Sequence, residues 1–340
     1  MRRARWTKVE RRPRVVVSLV LACLAVAATV WWGGAGTPPG GPASLGAVAD
    51  GGPPAADAAT LLDCAPVPST CGYPDATSTG VTDEDALRVV GEDTSQGDGW
   101  ELDPRGWVRV STDGAVVEDL DVPYNLDITA DHVTLRNVRV RVGGETFGIS
   151  LRHTSDVTIE DVTITAPDQG AGRLMVGVKD IYGDSTGTVV RRADISHVST
   201  GVQLDAGLVE DSYIHDLGML GEDHVNGITS NGGGEQLTIR HNTVLNEHPQ
   251  TDAISLFQDF GTQRNRLITD NLVAGGGYTL YAGAGALGPT EGIRVTDNRF
   301  SRLYFPASGR YGPLTAYEPG PGNVLSGNVW DDTGRSISGP

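Results

Sequence analysis

Apolar and polar positions alternate over short stretches of this chain, and the stretches recur. They read HVTLRNVRVRV at 132–142, DVTIEDVTIT at 156–165, GLVEDSYI at 207–214, QLTIRHNTVL at 236–245, NRLITDNLV at 265–273, GIRVTDNRF at 292–300 and GNVLSGNVW at 322–330. A degenerate copy, TVVRRADISHV, lies at 188–198. A period of two puts pairs such as Leu237 and Ile239 on one face only if the backbone is extended, so each copy predicts strand. No helix-length apolar stripe separates them. Each copy is too short to bury its own apolar face and must stack on its neighbours, which is the signature of a solenoid. An Asn or Asp marks a fixed place in the repeat, at Asn137, Asp161, Asp211, Asn242, Asn271, Asn298 and Asn328, with Ala193 as the exception. These residues tolerate the left-handed conformation, so the column predicts one tight bend repeated from coil to coil, with stacked amides bonding one another.

A second column runs in phase with the first. The segments FGISL, VGVKD, TGVQL, NGITS, DAISL and YTLYA align Gly148, Gly177, Gly201, Gly227, Ala253 and Thr279, at separations of 29, 24, 26, 26 and 26 residues. The next residue in each, Ile149, Val178, Val202, Ile228, Ile254 or Leu280, is predicted to point inward. The two columns together predict an all-β chain whose residues 111–335 form a single-stranded right-handed parallel β-helix. Residues 63–110 are predicted to be a small N-terminal cap. With parallel strands about 4.8 Å apart, about eight coils make a rod roughly 40 Å long.

On these two columns, over roughly residues 110–335, the chain resembles the pectate-lyase-like right-handed β-helix superfamily. Its segments DHVNGITSNGG (223–233) and TDAISLFQDFG (251–261) look like those of secreted actinobacterial β-helix proteins. The superfamily includes polysaccharide lyases, glycoside hydrolases, epimerases, esterases, phage tail spikes and passive adhesins, so the fold alone does not select an activity. The chain lacks the paired-Asp and Gly-His-Gly motifs of polygalacturonase-like hydrolases and the Arg-x-Pro-x-x-Arg segment of pectate lyases. Asp331-Asp332 stands near the C-terminus, away from the expected groove.

The N-terminus reads as an export signal. Seven basic residues and one acid occupy positions 2–14, and residues 15–32 carry no charge. This apolar run is longer than an ordinary signal core and barely long enough to span a bilayer, so a cleaved signal peptide and a signal-anchor over 1–32 are both open. The reading places the rod outside the cell, secreted or membrane-anchored through residues 15–32. Residues 33–62, rich in Gly, Pro and Ala, read as a flexible tether. Cys64 and Cys71, the only cysteines beyond the export signal, are expected to form a local disulfide in an oxidising compartment. The segment TDEDALRVV carries a helix-start signal at Thr82, and a short helix there would cover the open end of the rod.

Without residues 1–32 the formal charge moves from −17 to −23. Such a surface disfavours nucleic acid and anionic lipid and favours solubility or cation binding. The expected partner is a polysaccharide or cell-wall glycan, met by a monomer.

Candidate chemistry lies on one side. Residues two and four places after the glycine column are expected to face outward. They form the columns Ser150, Lys179, Gln203, Thr229, Ser255, Tyr281 and Arg152, Ile181, Asp205, Asn231, Phe257, Gly283. A polar face with interspersed aromatic rings suits saccharides, although it equally describes a solvated β-helix flank. The loops feeding two neighbouring strands add His215, Asp216, Asp223, His224 and Asn226, then His248, Asp252, Gln258 and Asp259. Carboxylates and imidazoles in such turns supply a general acid and base, or hold a divalent ion, or simply cap the backbone. Expected catalytic residues are therefore His224, His248, Asp252, Asp259 and Lys179. The expected substrate contacts are Gln203, Asp205, Asn226, Asn231, Gln258 and Tyr281. Asp223 and Asp252 are the candidate ligands for a metal such as calcium. Lys179 is the only lysine after Lys8; superfamily lyases use Lys or Arg to abstract a proton beside a uronate carboxylate, so the resemblance makes Lys179 or Arg152 a conceivable base. Three functions stay open: a lyase or hydrolase, a non-catalytic glycan-binding rod, and a purely structural rod.

Overall fold

Each coil of the chain contributes strands to two sheets that enclose one apolar interior. The computed structural model describes residues 63–167, 172–337 and 339. These form an all-β parallel solenoid of about seven turns, with a four-residue 3-10 turn, Pro68–Cys71, as the helical element among the described residues. One sheet collects Val116–Val122, Thr134–Arg141 and Thr158–Thr165 and then divides into two parallel rows of shorter strands. The other runs from Trp107–Val110 through Asn125–Ile128, Gly144–Leu151, Leu174–Asp180, Val198–Gln203, Asn226–Ser230, Asp252–Leu256 and Tyr278–Ala282 to Gly312–Thr315. The expected inward column, Ile149, Val178, Val202, Ile228, Ile254 and Leu280, is in register and fully buried.

The Asn/Asp column resolves into two. The left-handed bend is taken by Asp119, Asn137, Asp161, Arg192, Asp211, His241, Asp270 and Asp297, all with φ between 48° and 58°, and by Gly327. The next residue points into the solenoid, and there the sequence changes along the stack. It is Leu120, Val138 and Val162 in the early coils, then Ala193 and Ser212, then Asn242, Asn271, Asn298 and Asn328. The four asparagines form a buried ladder. Asn242 Nδ2 donates to Asn271 Oδ1 at 3.0 Å, Asn271 Nδ2 to Asn298 Oδ1 at 2.9 Å and Asn298 Nδ2 to Asn328 Oδ1 at 2.9 Å. Backbone N–H groups of the same residues share these acceptors, so the carbonyls and amides at the bend are satisfied without water. Asn137, Asp161 and Asp211 therefore belong to the bend and not to the ladder.

The glycine column is a packing requirement. A Cβ on Gly148, Gly177 or Gly201 would lie 2.5–2.7 Å from the carbonyl oxygen of the next glycine in the stack. It would also lie 2.8–3.1 Å from Ile164, Ile195 or Ile214 of the opposite wall.

Residues 63–110 divide between two places. Arg88–Val89 pairs with the first coil, and the antiparallel strands Gln96–Gly97 and Trp100–Leu102 extend the other sheet at its N-terminal edge. These strands cover the end of the stack. The expected helix at Thr82 is absent, because Asn137 Oδ1 instead accepts from the N–H groups of Thr82 and Asp83 and holds that segment against the bend. Residues 63–83 do not sit on the end at all. They run as a strap down the line of left-handed bends, from the last coil to the second. Asp331, fully buried, accepts from the N–H groups of Cys64 and Ala65 at 2.8 and 3.1 Å. Tyr73 donates to Asp270 and stacks on His241, Gly80 N–H donates to Arg192 O, and Val81 N–H to Thr163 Oγ1. The Cys64–Cys71 disulfide closes the strap's first loop. Cys64, Ala65 and Tyr73 pack with Leu245, Leu272 and Ala274 in a second, smaller apolar cluster. Among the described residues no helix is long and apolar enough to cross a membrane, and the expected export signal (1–32) and tether (33–62) lie outside them.

Candidate functional site

The outward column of the second sheet opens a cleft of about 490 Å³. Lys179, Gln203, Asp205 and Asn231 line it, as the period-two reading placed them, together with Asp180, Tyr182, Phe260 and the glycines 183, 232 and 233. Lys179 and Gln203 are opposed across Leu174–Asp180 and Val198–Gln203, so the coil spacing sets them side by side. Burial pushes the Lys179 ammonium below its ordinary pKa, opposed by the charges of Asp205 and Asp180. Asp205 Oδ1 accepts from Ser230 Oγ at 2.8 Å and from the N–H groups of Asn231 and Gly232 at 2.7 and 3.3 Å. Asp205 Oδ2 makes no hydrogen bond among the described residues and faces Gly183, 3.1 Å from where a Cβ would stand. Asp180 is buried and committed to Ser185, accepting from its N–H and hydroxyl at 3.0 and 3.1 Å.

Backbone shape makes the cleft's far wall. Gly232 has φ 135°, and a Cβ there would lie 2.5–2.8 Å from the backbone of Gly261, so two loops of adjacent coils close on each other only through glycine. Behind this loop Arg266 is 1 % exposed. Its guanidinium donates to neutral acceptors, Gln263 Oε1 at 2.7 Å, Gly233 O at 3.1 Å and Glu235 O. Burial lowers its pKa to about 10, offset in part by the charge of Asp205.

The remaining expected residues lie elsewhere. His224 and Asp259 are exposed in their loops. His248 Nε2 bonds Leu217 O at 2.7 Å, which makes it a loop tie. Gln258 stitches a neighbouring loop, donating to Gly283 O and Gly288 O and accepting from Leu287 N–H. Asn226 and Asp252 stack in register, as expected, and Ser255 Oγ bridges them, donating to Asn226 Oδ1 at 2.8 Å with Asp252 Oδ2 at 3.2 Å. This cluster is buried, so Ser255, like Ser150 and Thr229, is covered and not exposed as the alternation suggested. Burial pushes the Asp252 carboxyl up to about 7 against the bonds from Ser255 and Tyr278 N–H. Tyr281 is half-buried and tilted against Phe257, ring centroids 5.5 Å apart. Arg173 holds Asp223 at about 2 through paired bonds at 2.6 and 2.9 Å, with Ser199 as a further donor. Among the described residues no three His, Cys, Asp or Glu side chains group to hold a metal ion, and Asp223 and Asp252 each face other partners.

Tyr182 and Phe260 were not among the expected contacts. Both follow the strand by a few residues, where alternation ends and the turn decides direction. Exposed aromatics next to the column were the signal that could have found them. Tyr182 is 56 % exposed and Phe260 85 % exposed. No family model, curated protein or solved structure matches this chain.

Proposed function

We propose that the protein is an exported, monomeric, carbohydrate-active β-helix protein that binds a polysaccharide along the second sheet and cleaves it in the Lys179–Asp205 cleft. The observation that carries this reading is the cleft itself: four polar side chains drawn from three adjacent coils, between two exposed aromatic rings. Sugars are held in this way, with rings stacked on aromatic faces and hydroxyls met by carboxylate, amide and ammonium groups. Lys179 is the group suited to proton transfer, because desolvation weakens its hold on the proton and brings it nearer to working pH. Asp205 offers one uncommitted oxygen beside it for a substrate hydroxyl or a water. Hydrolysis by an acid–base pair fits these groups.

A non-catalytic glycan-binding rod is the second reading. The bonds from Ser230, Asn231 and Gly232 to Asp205 favour it, since they give that carboxylate a structural task. The test incubates the full-length protein with uronate-containing and neutral glycans, with and without calcium, following unsaturated-uronate absorbance and reducing ends. New absorbance marks a lyase and new reducing ends alone a hydrolase. In either case Lys179→Ala is expected to lower the rate at least about a hundredfold. Binding with neither product supports the second reading, and full activity in Lys179→Ala removes Lys179 from the chemistry.

A further inference from the structure

Resting on the reading of this cleft as a glycan site, we infer that it selects sugar chains without carboxylates, amine-bearing ones above all, and rejects uronates. Three observations carry this. The cleft holds a polar side chain without a protein partner: Asn231 is 8 % exposed, lines the cleft, and its carboxamide makes no hydrogen bond among the described residues. An amide so placed awaits a ligand, and it reads hydroxyl or acetamido groups without regard to charge.

The second observation is the pair of aromatic walls. Tyr182 stacks on His153 at 4.2 Å with the rings 3° from parallel, and His153 Nδ1 is 2.6 Å from Asp184 Oδ2, so the Tyr182 ring is braced in place. Phe260 is tied by its N–H to Asn231 O at 2.9 Å. Two such rings at the mouth stack on the apolar face of a pyranose.

The third is charge. Asp180 and Asp205 line the cleft, and Asp184 and Glu235 line a smaller hollow of about 120 Å³ that shares Asp205 and the three glycines with it. Against them stand Lys179, Arg266 and, beside Tyr182, Arg152; Arg266 is spent behind the loop on Gln263 and two backbone carbonyls, and Arg152 is paired with Asp127 at 2.5 Å. The uncommitted Asp205 Oδ2 is an acceptor, so it bonds a hydroxyl or an ammonium and repels a carboxylate.

The test titrates the full-length protein at low salt with three hexasaccharides: a chitosan oligomer, a cello-oligomer and a galacturonan oligomer. The chitosan and cello-oligomers are expected to bind at least about tenfold more tightly than the galacturonan, with chitosan the tightest. Phe260→Ala and Tyr182→Ala, both at exposed positions, are expected to weaken chitosan and cello-oligomer binding about fivefold or more. Asp205→Asn is expected to narrow the gap between chitosan and galacturonan. Tightest binding of the galacturonan overturns the inference and leaves the glycan reading standing. Binding of none of the three overturns both, and unchanged binding in both aromatic variants removes the walls from the site.

Discussion

Asp252 is a carboxylic acid buried among neutral groups, and its environment holds the proton. The group titrates near 7 in the folded chain against an ordinary 3.8, because burial penalises the charged form. The folded state therefore binds a proton that the unfolded state has already released between these values. The stability associated with this group is fully present below about pH 4 and is lost as pH rises through about 7, on the order of 4 kcal/mol in all. Urea midpoints measured from pH 4 to pH 8 should fall with pH, and Asp252→Asn, which keeps the shape without the charge, should flatten that slope. Gly201 is a second residue whose task is legible at this scale. Gly201→Ala would set a Cβ 2.5 Å from Gly227 O and 2.8 Å from Ile214 Cγ2, where neither backbone nor core can yield cheaply. It should lower unfolding free energy by about 1–3 kcal/mol in a urea titration.

Among the elements, the ladder and the strap were unequally readable. The ladder announces itself because only a side-chain amide both accepts from the preceding rung and donates to backbone carbonyls and the next rung at once, so Asn recurs at 242, 271, 298 and 328. By residue type alone it merges with the bend one residue earlier, since Asn and Asp serve both; the early coils, where Val138 and Val162 fill the interior position, separate the two. Asn271→Ala would take a donor from the carbonyls of Ile239 and Thr269 and the side-chain acceptor from the N–H of Asn242, and should cost at least about 2 kcal/mol by equilibrium denaturation. The strap left no local mark. Its anchor at Asp331 lies 267 residues from Cys64, and neither residue's neighbours betray the pairing. In the cleft, period two placed Lys179, Gln203, Asp205 and Asn231. The histidines and acids gathered by sequence proximity, His224, His248, Asp252 and Asp259, part company because Asp252 is buried in the stack, His248 is spent on Leu217 O, and His224 and Asp259 stand exposed in separate loops.

For the molecule as a whole, a solenoid is held only by nearest neighbours, and its terminal coils are the first to open. Here the strap fastens the last coil to the second through contacts at Asp331, Asp270, His241, Arg192 and Asn137. Asp331→Ala should release that fastening, since the same carboxylate also accepts from Arg299 at 2.6 Å. Amide exchange is then expected to accelerate at 324–330 and 64–73 while the central coils keep their protection. Replacing Cys64 and Cys71 by Ser should cost less than or about 2.5 kcal/mol, as befits a loop so short. Exchange that rises uniformly along the chain in Asp331→Ala would count against this separation of ends from middle.

The strap also acts as a ruler. It is one length of chain whose grips on the bends are spaced to match the coils between them. A duplicated or deleted repeat shifts the distance between Asn137 and Asp331 by about 4.8 Å, while the segment from Cys64 to Thr82 keeps its length. In an ordinary repeat protein copy number drifts freely; here a lineage that gains or loses a coil must recut its strap at the same time, so the number of coils is measured by the molecule itself.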